Sequence, residues 1–155
     1  MKKRLILAAA STAALLFSCL SAAAIEASYT ATSNTSVDDM WARIGDFCDI
    51  HWWHPAVAWC DLSADGKERT LTLVGGGTIV EDLVNWNDAG HSYTYRIKSS
   101  PLPVSHYVST IKVIKDGDGS QVLWWGHFKA HGASPAKAKG IIVGVYKAGV
   151  DSLVK

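Results

Sequence analysis

The central part of the chain is a series of strand-like segments joined by short turns. Segments rich in β-branched and aromatic residues occupy 57–62, 69–74, 78–86, 93–98, 104–114 and 121–129. The residues between them are mainly glycine, proline, asparagine and aspartate, which form turns. Parallel neighbours need a crossover of about a dozen residues or more, so these short connections predict antiparallel pairing of consecutive strands.

A strand and two short helices are predicted before this series. Residues 26–32 alternate weakly between apolar and polar and predict a first strand. Ser36 and Asp39 form a capping-box signature at the start of an amphipathic helix. A second short helix or turn is predicted to end at His54 and Pro55, because the residue before a proline disfavours helical geometry.

One long helix is predicted after the strands. Ser134 followed by Pro135 is a helix-start signal, and Ile142 and Tyr146 belong to the apolar stripe behind it. About seven antiparallel strands covered by a single long helix make an α+β fold. A curved sheet leaves a gap that one helix cannot fill, and that gap is a candidate pocket.

The first 24 residues have the pattern of a secretory signal peptide. Lys2, Lys3 and Arg4 precede an apolar stretch, and small residues end the segment at Ala24. The prediction is therefore an exported protein, periplasmic or secreted, with a single mature domain over 25–155. The alternatives are a membrane anchor, for which the stretch is short and interrupted by Ser and Thr, and a lipoprotein attached through Cys19.

Composition excludes some classes of partner. The signal peptide contains three of the 15 basic residues, so 12 basic and 14 acidic residues remain in the mature chain. A slightly acidic domain without a basic run disfavours nucleic acid as a partner. All seven tryptophans lie in the mature part, and tryptophans are frequent in cores and in binding pockets.

Export makes a disulfide between Cys48 and Cys60 the favoured prediction, since exported compartments are oxidising. Two free thiols, or a metal site that adds His51 and His54, remain alternatives, although this spacing fits no standard zinc motif. No cofactor and no metal are predicted.

Strand alternation assigns one face of each strand to the pocket. The predicted pocket residues are apolar and aromatic with a few polar groups, which is typical of a small-molecule site. They are Glu81, Tyr95, Ile97, Tyr107, Ser109, Trp124, Phe128, Trp53, Ile142 and Tyr146.

Glu81 is the sharpest of these candidates, because a buried carboxylate needs a partner or a proton. It is predicted to accept a hydrogen bond from a polar ligand group or water; the alternative is that a bulge turns it to solvent. Two connections are predicted to control access, with ordinary turns as the alternative. They are the flexible Gly75, Gly76 and Gly77 and the stiffer Pro101, Leu102 and Pro103.

Several motifs in this order resemble the SRPBCC (START/Bet v 1-like) superfamily. They are Trp53-His54-Pro55, the segment 78–83, the segment 100–107 and the segment 124–128. The chain is most similar to the bacterial polyketide cyclase/dehydrase and lipid-transport branch, including exported members associated with methanol oxidation. The resemblance implies a helix-grip fold, gate loops, and a cavity for hydrophobic or amphipathic small molecules.

Three functions are compatible with these features. The first is an exported, non-enzymatic binding protein for a hydrophobic small molecule, favoured because no reactive motif is present. The second is a cyclase- or dehydratase-like enzyme in which Glu81 acts with Tyr95 or Tyr107. The third is an accessory protein of a periplasmic dehydrogenase, which would require a protein partner and follows from the resemblance alone.

Overall fold

The computed structural model describes residues 23–155 as seven strands and three helices. In chain order they are β1 (Ile25–Ser33), α1 (Val37–Ile44), α2 (Ile50–Trp53), β2 (Val57–Leu62), β3 (Glu68–Leu73), β4 (Thr78–Asn87), β5 (Ser92–Ser99), β6 (Val104–Asp116), β7 (Gly119–Ala130) and α3 (Pro135–Leu153). The predicted α+β order is confirmed. The predicted signal peptide lies outside the described residues except for Ala23 and Ala24.

The strands form one antiparallel sheet in the order β1-β7-β6-β5-β4-β3-β2. Each strand from β2 to β7 pairs with the next along the chain, as the short connections predict. The first strand returns to pair with the last, so β1 and β2 are the two edges. Alternation is confirmed on the inner face, where Tyr95, Ser109 and Trp124 are buried.

Side-chain caps start the two longer helices. Ser36 accepts a hydrogen bond from the backbone N–H of Asp39 at 3.2 Å, and its hydroxyl donates to the Asp39 carboxylate at 2.7 Å. Ser134 accepts from the backbone N–H of Lys137 at 3.3 Å ahead of Pro135. These caps satisfy backbone donors that a first helical turn leaves free. No helix within 23–155 is long and apolar enough to cross a membrane.

A disulfide joins Cys48 to Cys60 across a Cα–Cα distance of 5.6 Å. It connects the segment before α2 to strand β2 and closes the loop that contains His54. Both thiols are used in this bond, so the metal alternative with His51 has no sulfur ligands in this structure. Among the described residues, no group of three His, Cys, Asp or Glu side chains is placed to hold a metal ion.

Helix α3 lies on the inner face over β1 and β7, and one glycine lets it approach closely. A Cβ atom at Gly149 would lie 2.6 Å from Cδ2 of His54 and 2.7 Å from Cζ3 of Trp124. Real Cβ contacts are never that short, so Gly149 is required by packing. Gly144 is exposed on the same helix, and no other part of the described chain lies within 4 Å of a Cβ placed there.

Alanine at these two glycines is expected to have opposite effects on stability. Gly149→Ala should lower the free energy of unfolding by about 1–3 kcal/mol, because the methyl group overpacks His54 and Trp124. Gly144→Ala should raise it by about 0.5–1 kcal/mol, because alanine is the better helix former. Urea unfolding followed by circular dichroism measures both, and equal shifts in the same direction would contradict the proposed packing role of Gly149.

Candidate functional site

A cavity of about 120 Å³ lies between the inner face of strands β2 to β7, α2 and α3. Its size is near that of an engineered protein cavity of about 150 Å³ that binds benzene. The lining residues are Ile50, His54, Ala56, Val57, Leu71, Leu73, Ile79, Glu81, Tyr95, Ile97, Leu102, Tyr107, Trp124, Ile142 and Val145. The walls are predominantly apolar, and the only carboxylate among these residues is Glu81.

The predicted pocket residues divide into two groups. Those that line the cavity are Glu81, Tyr95, Ile97, Tyr107, Trp124 and Ile142. Those that are buried but outside the lining are Ser109 and Phe128 on the inner face of the sheet, Trp53 on α2 and Tyr146 on α3. The second group is in the packed core: Trp53, for example, meets the ring of Trp124 at a centroid distance of 5.8 Å and donates its indole N–H to the carbonyl of Ile44 at 3.0 Å.

The two loops predicted to control access lie side by side. A Cβ atom at Gly77 would be 3.7 Å from Cγ of Pro101, and Gly76 and Gly77 both have φ of +88°, which favours glycine. Of the six loop residues, Leu102 lines the cavity, whereas Gly75, Gly76, Gly77, Pro101 and Pro103 do not. Their control of access stays a prediction.

Glu81 forms a buried ion pair with Arg69. The two residues face each other across β3 and β4, and Nε of Arg69 donates to Oε2 of Glu81 at 2.6 Å. Arg69 is 0% exposed and Glu81 is 4% exposed. Arg69 also donates through Nη1 to the carbonyl of Phe47, and its guanidinium carbon lies 4.1 Å from the centre of the Phe47 ring. The pair therefore holds Glu81 in place at the cavity wall.

Burial and the ion pair have opposing effects on these charges. Burial raises the pKa of the Glu81 carboxyl, and the adjacent Arg69 guanidinium acts against that shift. For Arg69, burial acts to lower the pKa, but the Glu81 carboxylate raises it above its ordinary value. Arg69 consequently stays protonated, and its charge compensates that of Glu81.

Sequence reasoning missed Arg69, although the sequence contains a signal for it. Arg69 is in phase with Leu71 and Leu73, two apolar residues of the same strand. Strand alternation places all three on one face, so the burial of Leu71 implies an inward arginine. The alternative in which a bulge turns Glu81 to solvent is wrong: the β4–β5 register does shift between Val80 and Glu81 and between Leu83 and Asn85, but Glu81 is buried.

A second polar cluster connects four hydroxyl groups next to the cavity. Tyr95 is 3.2 Å from Tyr107, Tyr107 is 2.7 Å from Tyr146, and Tyr146 is 3.0 Å from Ser109, measured between hydroxyl oxygens. The indole N–H of Trp124 lies 3.1 Å from the Tyr95 oxygen and 3.0 Å from that of Ser109. Burial raises the pKa of Tyr146 to about 12 and that of the other two tyrosines well above the ordinary value.

A glycine in β7 makes room for this cluster. A Cβ atom at Gly126 would be 2.6 Å from the Tyr146 hydroxyl and 3.0 Å from Cβ of Ser109. Only a residue without a side chain at this position lets the tyrosine of α3 reach the serine of β6. The cluster therefore attaches α3 to the middle of the sheet.

His54 is held as a neutral imidazole between α3 and the sheet. Its Nδ1 accepts from the backbone N–H of Ala56 at 3.2 Å, so the proton is on Nε2, which donates to the carbonyl of Val145 at 3.1 Å. The ring meets Trp124 edge-on at a centroid distance of 5.8 Å. Burial lowers the pKa of His54 below 6.5, and the positive charge of Arg69 adds to that effect.

In the described part of the chain, the arrangement does not pair Glu81 with a tyrosine hydroxyl. The enzymatic alternative requires a tyrosine hydroxyl within hydrogen-bond reach of Glu81. Within residues 23–155, the only side-chain hydrogen bond of Glu81 is that with Arg69, while Tyr95 and Tyr107 bond to each other. The pair of residues required for proton transfer is thus not assembled.

Comparison with known proteins agrees with this fold. A family model for polyketide cyclase/dehydrase and lipid transport matches residues 24–155. A search of curated protein sequences finds no match.

Solved structures are similar over most of the chain. The protein XoxI from Bacillus cereus is 31% identical, with a TM-score of 0.81 over 84% of this chain and 93% of that one. An uncharacterized protein from Bacillus thuringiensis is also 31% identical, with a TM-score of 0.79 over 83% of this chain and 96% of its own. The Zhui aromatase/cyclase from a Streptomyces species is 16% identical, with a TM-score of 0.69 over 85% and 92%. That last likeness concerns the fold alone.

Removing one member of the buried ion pair is expected to cost more than removing both. Arg69→Met should lower the free energy of unfolding by about 3–5 kcal/mol, because it leaves the Glu81 carboxylate buried without its partner. The double variant Arg69→Met with Glu81→Leu should recover at least half of that loss, with the unpaired carbonyl of Phe47 accounting for about 1–3 kcal/mol of the remainder.

The control is the exposed ion pair between Lys98 of β5 and Glu68, which is on β3 like Arg69. Lys98→Met should change the free energy of unfolding by less than about 1 kcal/mol, because solvent screens this pair. Denaturant unfolding compares all three variants. A double variant less stable than Arg69→Met would contradict the account of the buried charge.

Stability is expected to fall as the pH drops below about 6.5, through His54. The folded-state pKa of His54 lies below the ordinary value of 6.5, so the unfolded chain takes up a proton first. Above that pH both states are neutral and this contribution is constant. His54→Asn should reduce the loss of stability between pH 7 and pH 5, measured as a difference from the unaltered protein, and the exposed His127→Asn should not.

Proposed function

Because the chain belongs to the polyketide cyclase/dehydrase and lipid-transport family, we propose that it is a binding protein for a small hydrophobic or amphipathic molecule. The observation that carries the proposal is the cavity between the sheet and α3, which has apolar walls and one buried ion pair beside it. Apolar walls with a few placed polar groups are typical of ligand pockets.

The geometry favours binding over a solely structural role for the polar residues. A core without a ligand site is best filled by apolar side chains, because burying an ion pair costs desolvation energy that the pair seldom recovers in full. Glu81 is nevertheless placed at the cavity wall and connected to Arg69. A polar ligand group that donates a hydrogen bond to the Glu81 carboxylate would explain why an ion pair is buried at this position.

The proposal includes export of the mature domain. Its support is the basic, apolar and small-residue pattern of residues 1–24, and the disulfide between Cys48 and Cys60 is compatible with an oxidising compartment. The loops around Gly77 and Pro101 are proposed as the mouth of the cavity, since they adjoin each other and Leu102 reaches the lining.

Mass spectrometry of the full-length chain, produced in its own host, tests both parts. The denatured protein should have the mass of a chain that begins at Ile25, and under native conditions an additional mass should be present that denaturation releases. An uncleaved chain from Met1 would contradict export. A mature protein that carries no additional mass and takes up no toluene would contradict binding.

A variant that fills the cavity provides the matched comparison. Ile97 lines the cavity on β5, whereas Val84 is exposed on the neighbouring β4. Ile97→Trp should abolish the additional mass and reduce toluene uptake at least tenfold, because the indole occupies much of the space. Val84→Trp adds the same group outside the cavity and should bind as the unaltered protein does.

A further inference from the structure

We infer that the cavity selects an uncharged ligand that donates a hydrogen bond, and that it rejects ligands that can only accept one. This inference rests on the proposed function and names the chemical class of its ligand. It follows from the direction of the hydrogen bonds around the cavity, which is determined at one end by a backbone carbonyl.

Ser109 fixes the donor-to-acceptor direction of the hydrogen bonds in the cluster. Its hydroxyl lies 2.7 Å from the carbonyl oxygen of Trp125, which can only accept, so the single proton of Ser109 is used there. Tyr146, 3.0 Å from the Ser109 oxygen, must therefore donate to it. With its proton used in this way, Tyr146 can only accept from the third hydroxyl of the cluster.

The same reasoning continues to the cavity wall. Tyr107 donates to Tyr146 at 2.7 Å, so Tyr95 must donate to Tyr107 at 3.2 Å. Tyr95 in turn accepts from the indole N–H of Trp124 at 3.1 Å. Tyr95 and Tyr107 both line the cavity, and each keeps only lone pairs for a further bond.

The other side-chain donors of the lining are also used. The indole N–H of Trp124 donates to both Tyr95 and Ser109, and the Nε2–H of His54 donates to the carbonyl of Val145. Glu81 has no proton to donate as a carboxylate, and only its Oε2 is bonded, to Arg69. Every side-chain polar group of the lining is thus an acceptor or has no free capacity.

Charge limits the ligand further. Arg69 already compensates the charge of Glu81 at 2.6 Å. A cationic ligand would bring a second, uncompensated charge into an apolar cavity, and an anionic ligand would find no free donor among the lining side chains, so both are disfavoured. The ligand is consequently a neutral molecule with a hydroxyl or N–H group, and the cavity of about 120 Å³ fits one small ring.

Titration with small aromatic probes tests this inference. Phenol donates a hydrogen bond, toluene neither donates nor accepts, benzonitrile only accepts, and benzylammonium donates but is charged. Protein-observed NMR titration should give a dissociation constant for phenol at least tenfold below those for benzonitrile and benzylammonium. Toluene should bind, because the walls are apolar.

Tyr107→Phe provides a sharper test, because it should create a donor by removing an acceptor. Without the Tyr107 oxygen, the proton of Tyr95 becomes free to point into the cavity. The preference for phenol over benzonitrile should then fall at least threefold. Tyr93→Phe is the matched control, since Tyr93 is buried, lies outside the lining, and has a hydroxyl without a partner among residues 23–155; it should keep the preference unchanged.

The outcomes separate this inference from the proposed function. If toluene, phenol and benzonitrile bind equally, or benzonitrile or benzylammonium binds best, the donor preference is overturned while binding in the cavity stands. If none of the four probes binds, the proposed function is overturned as well. The ranking in the unaltered protein decides the matter even if Tyr107→Phe does not fold.

Discussion

The structure depends on how one helix covers a sheet of seven strands. Helix α3 lies over β1 and β7, at one side of the sheet, and is attached there through Tyr146 and the close approach at Gly149. On the opposite half, α2 lies on β2, and Trp41 of α1 packs against Trp86 of β4 and Tyr93 of β5. The cavity lies between these elements and α3. An inward-facing side chain on that half faces either a packed partner or the cavity, and inward polar groups must find partners within the protein. The ion pair of Arg69 and Glu81 satisfies this requirement.

The sequence predicts the topology well, because local signals determine it. Short turns between strand-like segments imply antiparallel neighbours, and Ser134 with Pro135 places the long helix. The alternation of β5, β6 and β7 predicts which residues face inward, and the burial of Tyr95, Ser109 and Trp124 agrees with it. The family resemblance is confirmed by the match over residues 24–155.

The lining of the cavity is less predictable, because it depends on distances between elements rather than on faces. Tyr107 and Ser109 face the same side of β6, yet Tyr107 reaches the cavity and Ser109 lies beneath it. The difference follows from the position of Tyr146 on α3, which Gly126 allows to come close to the strand. The partner of Glu81 depends likewise on the β3–β4 register, which places Arg69 directly opposite. The residue pattern of one strand predicts neither how closely a helix approaches the sheet nor the register in which two strands pair.

The polarity of the cavity shows how a backbone group can govern recognition at a distance. The carbonyl of Trp125 accepts the hydrogen bond of the Ser109 hydroxyl. Each hydroxyl from Tyr146 to Tyr95 must then donate its hydrogen bond away from the cavity. The orientation of that carbonyl follows from the pairing of β6 with β7, in which Thr110 faces Trp125. Ordinary sheet geometry therefore leaves lone pairs, and no protons, on the side chains that face a ligand. A neutral ligand with a donor completes this arrangement, whereas a ligand that only accepts would leave buried lone pairs unpaired on both sides.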